Sequence, residues 1–312
     1  MTVEETRAIL SLTLMAAFVD GDKHERERAE IRRIADSLAQ ADGVHLPTLV
    51  QDVLMKRVQL DGIAAALPGA DARQLAYEMA VCVCDADGVH SPAELRFLEQ
   101  AKAALALAPA AADGFLQQAD VVAAAPLATA DAPPAPARSA VDEAALDKTI
   151  LNAAILNGAL ELLPESLSTM AIIPLQMRLV FNIGKAHGYA LDSGHIKDFL
   201  ATVGVGLTSQ YLEQAGRKLL GGLLGKLGGG LLGGVGRQAV SSGMSFATTY
   251  ALGHVAKRYY AGGRVLSTQL LKDSYASLTQ QAQGLHQQYL PQMREQARTL
   301  DTAKIMALVR GK

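Results

Sequence analysis

At 312 residues and a net charge of −2, the chain is long enough for two domains, each able to bury its own core. Half of it is hydrophobic, yet aromatics make up only 4% and tryptophan is absent. Alanine and leucine therefore carry the apolar content, which favours helix and disfavours an all-β design. The near-neutral total conceals a split: residues 1–107 hold 17 Asp/Glu against 11 Lys/Arg, and residues 141–312 hold 11 against 17. A cation-seeking half is thereby joined to one suited to an anionic surface. The only cysteines, Cys82 and Cys84, are too close for a relaxed disulfide and read as reduced, buried residues of a cytoplasmic protein. Met1 leads straight into an acidic helix start, so no secretory signal peptide is expected.

Residues 1–107 read as helices throughout. Ala8, Leu12, Met15 and Val19 form an apolar stripe at helical spacing, and Ile31, Ile34 and Leu38 continue it after a break. Leu75, Met79 and Cys82 precede a second break, after which Leu95, Leu98 and Ala101 resume. Ser91-Pro92-Ala93-Glu94 is a helix start, with Ser as cap, Pro in the first turn and Glu at the third position. Residues 108–140 hold five of the eleven prolines amid alanine and are expected to be an extended linker. Residues 141–262 form a second apolar module. It has one helix from Ile150, another after Pro174, a third leading to a glycine-rich stretch, and a fourth from about Gln238 to Tyr260. Residues 263–312 make a glutamine-rich amphipathic helical tail, expected to be interrupted at Pro291.

The two breaks in the first domain match each other. Asp20-Gly21 is followed by Glu27, and Asp87-Gly88 by Glu94, a glutamate seven residues after the aspartate in both copies. Glycine permits the sharp turn, and the glutamate falls where the next helix begins. The pattern resembles the second half of a calcium-binding helix–loop–helix, but Val83, Ala16 and Phe18 stand where such a loop needs ligands. Two readings stay open: carboxylates that converge on a divalent cation, calcium or manganese, or carboxylates that only cap helices.

These segments resemble the TerB-like family associated with tellurite resistance. The likeness covers residues 5–107. It rests on Ala17-Phe18-Val19-Asp20-Gly21 through Glu27, and on Val83-Cys84-Asp85-Ala86-Asp87-Gly88-Val89-His90-Ser91-Pro92-Ala93-Glu94. The resemblance implies an all-helical bundle with an internal repeat, a place in stress-response complexes near the membrane, and metal binding through Asp20, Glu27, Asp87 and Glu94. Asp22 and Asp85 are secondary candidates.

Between 221 and 236, nine of sixteen residues are glycine, with Gly221, Gly225, Gly229 and Gly233 four apart. Beyond Arg237 the row continues as Ser241, Ser245, Thr249 and Gly253. Small residues on one helix face let another backbone approach closely. This is expected to pair two helices, either in a hairpin at the inner membrane or in a soluble core whose turn is the glycine tip at 228–236. No Ser or Thr follows Gly225-Lys226, which excludes a nucleotide phosphate loop.

The module is similar to the YcjF-like domain found beside Ras-like GTPases. The likeness lies in Ile150-Leu151-Asn152-Ala153-Ala154, in Ile173 to Lys185 with Gly188-Tyr189, and in Ala247-Thr248-Thr249-Tyr250-Ala251-Leu252-Gly253. That resemblance implies a GTPase partner. The seven histidines are scattered and no nucleophile elbow occurs, so no catalytic residue is expected. The sequence predicts an all-α, cytoplasmic, non-enzymatic stress-response adaptor. It would bind a divalent cation, associate with a GTPase or the inner membrane, self-associate through its C-terminal helices, and take no nucleic acid. The alternatives are a wholly soluble metal-free scaffold and a metal-dependent hydrolase.

Overall fold

The computed structural model describes residues 1–19, 31, 44–87, 90–123, 141–163, 166–206, 210–214, 216, 219 and 233–310. The fold is all-α, with no strand among the described residues. The chain divides into two compact units: residues 1–124 with 206–238, and residues 125–205 with 239–312.

In the first unit, α1 (Val3–Ala17) starts at a capping box in which Thr2 and Glu5 satisfy each other's backbone N–H. Its residues are buried almost all round, including Ile9, Leu10, Leu12 and Leu14, which is the pattern of a central helix. Thr13 can sit inside because its hydroxyl donates to the Ile9 carbonyl at 2.8 Å. Around α1 lie α2 (Leu46–Leu54), α3 (Leu60–Ala65) and α4 (Ala70–Cys84), with α4 its main partner. Cys82 and Cys84 are free and buried in α4. A 3-10 turn (Asp85–Asp87) follows, then α5 (Pro92–Ala104) and α6 (Pro109–Ala123). α5 begins at the expected capping box, Ser91 with Glu94.

The expected extended linker contains α6 in its first half. Pro109 opens that helix at the one position where its missing N–H costs nothing, and the alanines after it favour helix. Ala112, Ala119 and Val122 are fully buried at helical spacing, so α6 is held by packing.

The second unit contains α7 (Glu143–Glu161), α8 (Ser166–Ala186), α9 (Ser193–Val203), α10 (Gly233–Ala261) from residue 239 onward, α11 (Thr268–Thr299) and α12 (Thr302–Arg310). α8 runs through Pro174 and α11 through Pro291, where the sequence suggests boundaries. A mid-helix proline costs about 3 kcal/mol. Burying Met170, Ala171, Ile172 and Ile173 before Pro174 outweighs that in α8, and buried Met293 anchors the chain after Pro291. α11 packs on α7 and α9, and α12 on α8, where Arg178 donates to the Leu308 carbonyl. Phe246, Ala154, Ala159, Ala247, Ala282 and Met293 form the core.

Within this core, Ser245, Thr249 and Gly253 turn toward α7 and α8. The Ser245 N–H donates to the Glu161 carboxylate at 2.8 Å. Thr249 Oγ1 accepts from both Asn157 Nδ2 (2.9 Å) and Gln176 Nε2 (3.0 Å). A Cβ on Gly253 would lie 2.7 Å from Ile150 Cγ2, so glycine is what allows α10 to reach α7 this closely. Gly221, Gly225 and Gly229 lie outside the described residues. Gly233 to Gly236 form the first turn of α10, a 29-residue helix, where the sequence suggests a hairpin tip. Among the described residues, no helix is long and apolar enough to cross a membrane.

The shared acceptor gives a test. Thr249→Val keeps the side-chain shape but removes the oxygen that two buried amides use. It should destabilise the second unit by about 2 kcal/mol in chemical denaturation; a neutral result would show that the polar knot adds nothing.

Candidate metal centre

Asp85 is the C-cap of α4 and the first residue of the 3-10 turn. It is 3% exposed. A carboxylate at a helix C-terminus faces the negative end of the helix dipole, and burial adds a desolvation cost. Such a group needs a cation beside it.

Two elements supply the surroundings. His90 lies just before the Ser91 cap of α5, and Asp120 sits on α6, which packs against both α4 and the 3-10 turn. His90 Nε2 lies 2.9 Å from Asp85 Oδ1, and His90 Nδ1 lies 3.2 Å from Asp120 Oδ1. The Nε2 approach has ion-pair distance without the alignment of a hydrogen bond. One ligand atom from each residue can be chosen so that all three lie within 4.8 Å of one another. Burial is graded, from the enclosed Asp85 through His90 to the exposed Asp120, which leaves the Asp120 side open for entry.

The His90 imidazole is held above its ordinary value of 6.5, chiefly by the Asp85 carboxylate against its ring. Burial opposes this, and the charges of Asp85, Asp120 and Glu94 reinforce it. With a carboxylate beside each nitrogen, the positively charged imidazolium is the form that both contacts attract. The donor set suits a borderline ion that accepts carboxylate oxygen and imidazole nitrogen together. A bound divalent cation would take over from the imidazolium proton as the counter-charge of Asp85 and Asp120.

The sequence-derived candidates are distributed as follows. Asp85 belongs to the cluster. Glu94 is buried, and its carboxylate accepts from the Ser91 N–H at 2.9 Å, which makes it a helix cap beside the cluster. Asp87 is placed in the 3-10 turn by its backbone. Asp20, Asp22 and Glu27 lie outside the described residues. Sequence reasoning missed His90 and Asp120. His90 stands inside the quoted motif, but Asp120 comes from the segment read as linker.

His90 in the first unit titrates in the opposite sense to His254 and His286 in the second. Because His90 is raised, its contribution to stability is fully present below about pH 6.5 and is lost as pH rises through its higher folded value. In the second unit, His254 and His286 are both lowered, first by burial. Asp147 raises His254 while Lys257 and Arg258 lower it further, and Arg294 lowers His286. Their contribution is present above about pH 6.5 and is lost as pH falls. Acidification from about pH 7.5 to about 5.5 should therefore strengthen amide protection in α4 and weaken it in α10. Hydrogen exchange measures both at once, and a change of the same sign in both helices would contradict the assignment.

The first unit is thus a small helical bundle with a histidine between two carboxylates at the C-terminal end of α4. Residues 6–117 match the family described as tellurite resistance protein TerB, so the N-terminal part of the chain is TerB-like. Asp120 lies just beyond that match. No curated protein matches the chain, and no solved structure does.

Proposed function

We propose that this protein is a non-enzymatic, tellurite-resistance-type stress-response adaptor whose N-terminal unit takes up a divalent cation at Asp85, His90 and Asp120. The observation that carries this reading is the convergence of those three side chains from α4, the start of α5 and α6 around a buried carboxylate. An imidazole in the donor set favours manganese over calcium. The C-terminal helical unit then serves as the interaction module, with a Ras-like GTPase as its partner. The likeness of Ala247 to Gly253 and Ile173 to Lys185 to YcjF-like domains supports that choice. Its basic excess also suits the inner-membrane surface.

Titration calorimetry of the full chain with manganese tests the site. One ion per chain is expected, with binding lost in Asp85→Asn and weakened in Asp120→Asn. A second reading, a metal-free clamp, draws on the same two contacts of His90. It predicts no heat of binding with any divalent ion, together with a stability loss in His90→Ala.

A further inference from the structure

Aromatic side chains are scarce in this chain, with six phenylalanines, eight tyrosines and no tryptophan. Four of those rings gather at one place in the second unit. Tyr260 stands 5.3 Å from Tyr189, 5.9 Å from Phe199 and 5.2 Å from Tyr259, centroid to centroid, and Phe199 stands 5.2 Å from Tyr259. Phe199 and Tyr260 are buried, whereas Tyr259 is only half-buried. Past the end of α10 the chain turns back: the Arg264 N–H donates to the Tyr259 carbonyl at 2.9 Å. Gly263 and Arg264 both have positive φ, 79° and 66°. A left-handed backbone suits glycine and is strained at arginine. Here it carries the guanidinium carbon to 5.8 Å from the Tyr189 ring centroid.

The result is a cleft of about 380 Å³, lined by His195, Asp198 and Phe199 from α9, Tyr259 and Tyr260 from α10, and Arg264 from the turn. The His195 imidazole is already engaged, with Nδ1 2.8 Å from Asp192 Oδ1. The Asp198 carboxylate and the Arg264 guanidinium are exposed, and neither forms an ion pair among the described residues. A simple anion would be drawn by Arg264 and repelled by Asp198, and a simple cation the reverse. A molecule carrying both charges satisfies both residues, and an aromatic body adds stacking on the accessible ring.

We propose that this cleft binds a small aromatic zwitterion of the amino-acid class, with its carboxylate on Arg264, its ammonium on Asp198 and its ring against Tyr259. Burial pushes the Tyr260 phenol up to about 12, so the floor of the cleft stays uncharged. The strain at Arg264 then has a use, because the turn presents a guanidinium where glycine would close the helix without cost. All of these residues lie in the second unit, so the inference stands apart from the cation site of the first.

The test titrates the full chain with L-phenylalanine and with two analogues that each lack one charge. N-acetyl-L-phenylalanine lacks the ammonium, and L-phenylalaninamide lacks the carboxylate. Nuclear magnetic resonance reads place and affinity together. Phenylalanine should shift the ring signals of Tyr259 and Phe199, and each analogue should bind about tenfold more weakly. Arg264→Gly keeps the left-handed turn; it should weaken phenylalanine about tenfold and abolish its advantage over the amide. Asp198→Asn should do the same for its advantage over the acetylated analogue. Both replaced side chains are exposed, and unchanged amide protection in α10 shows that the variants are folded. No shift at Tyr259 and Phe199 up to the solubility of phenylalanine, or shifts centred on other residues, would overturn the inference. Equal binding of the three compounds, or discrimination that survives in both variants, would overturn it as well.

Discussion

Gly253→Leu is expected to lower the stability of the second unit by about 3 kcal/mol, or about 6–12 °C in melting temperature. A Cβ at this position would meet Ile150 at 2.7 Å (Cγ2), 2.8 Å (Cγ1) and 3.2 Å (Cβ). Ile150 is fully buried and branched at Cβ, so it has essentially one rotamer in a helix and no space to retreat into. The clash must be relieved by moving α10 away from α7. That would also stretch the bonds from Asn157 and Gln176 to Thr249. Gly158 provides the contrast. A Cβ there would approach the Met293 sulfur even more closely, and Phe246 Cβ at 3.2 Å, but the closest atom belongs to an unbranched methionine that can change rotamer. Gly158→Ala should therefore cost less than Gly253→Ala, although its nominal overlap is greater. If the two alanine variants melt together, the close approach at Gly253 is not what holds α10.

The second large effect is expected from the cation. Manganese at about 100-fold over its dissociation constant should raise the stability of the N-terminal unit by about 2.7 kcal/mol. Asp85→Asn should remove that gain, because the amide keeps the shape of the carboxylate without its charge. Differential scanning with and without manganese reads both effects, and a gain that survives Asp85→Asn would place the ion elsewhere.

Much of the architecture was legible in local pattern. The Ser91-Pro92-Ala93-Glu94 start, the apolar residues of α1 and the four-residue row through Ser245, Thr249 and Gly253 all depend on residues a turn or two apart. Such spacing is visible in one dimension. What escaped depends on packing between distant segments. Pro174 and Pro291 read as breaks because proline disfavours helix interiors, and only burial of the flanking residues offsets that preference. Pro109 reads as one of five linker prolines, and its place at the first turn of α6 depends on Ala112, Ala119 and Val122 having something to pack on.

The candidate site follows the same division. The repeated Asp-Gly and glutamate spacing singles out Asp87 and Glu94, with Asp85 only a secondary candidate, yet the structure gives Glu94 a capping role and brings Asp85 together with His90 and Asp120. Asp120 lies 35 residues after Asp85 in sequence and meets it only because α6 returns along the 3-10 turn. Nor does local pattern signal that residues 206–238 group with the first 124.

The central claim is that Asp85, His90 and Asp120 form one cation site. Nuclear magnetic resonance during addition of substoichiometric manganese tests it most directly, because the paramagnetic ion broadens the signals nearest to it. The site predicts selective loss of the His90 ring resonances, together with the amide signals around Asp85 and Asp120, while α10 and α11 remain sharp. Broadening centred on other residues, or none at all while His90 stays sharp at saturating manganese, would contradict it.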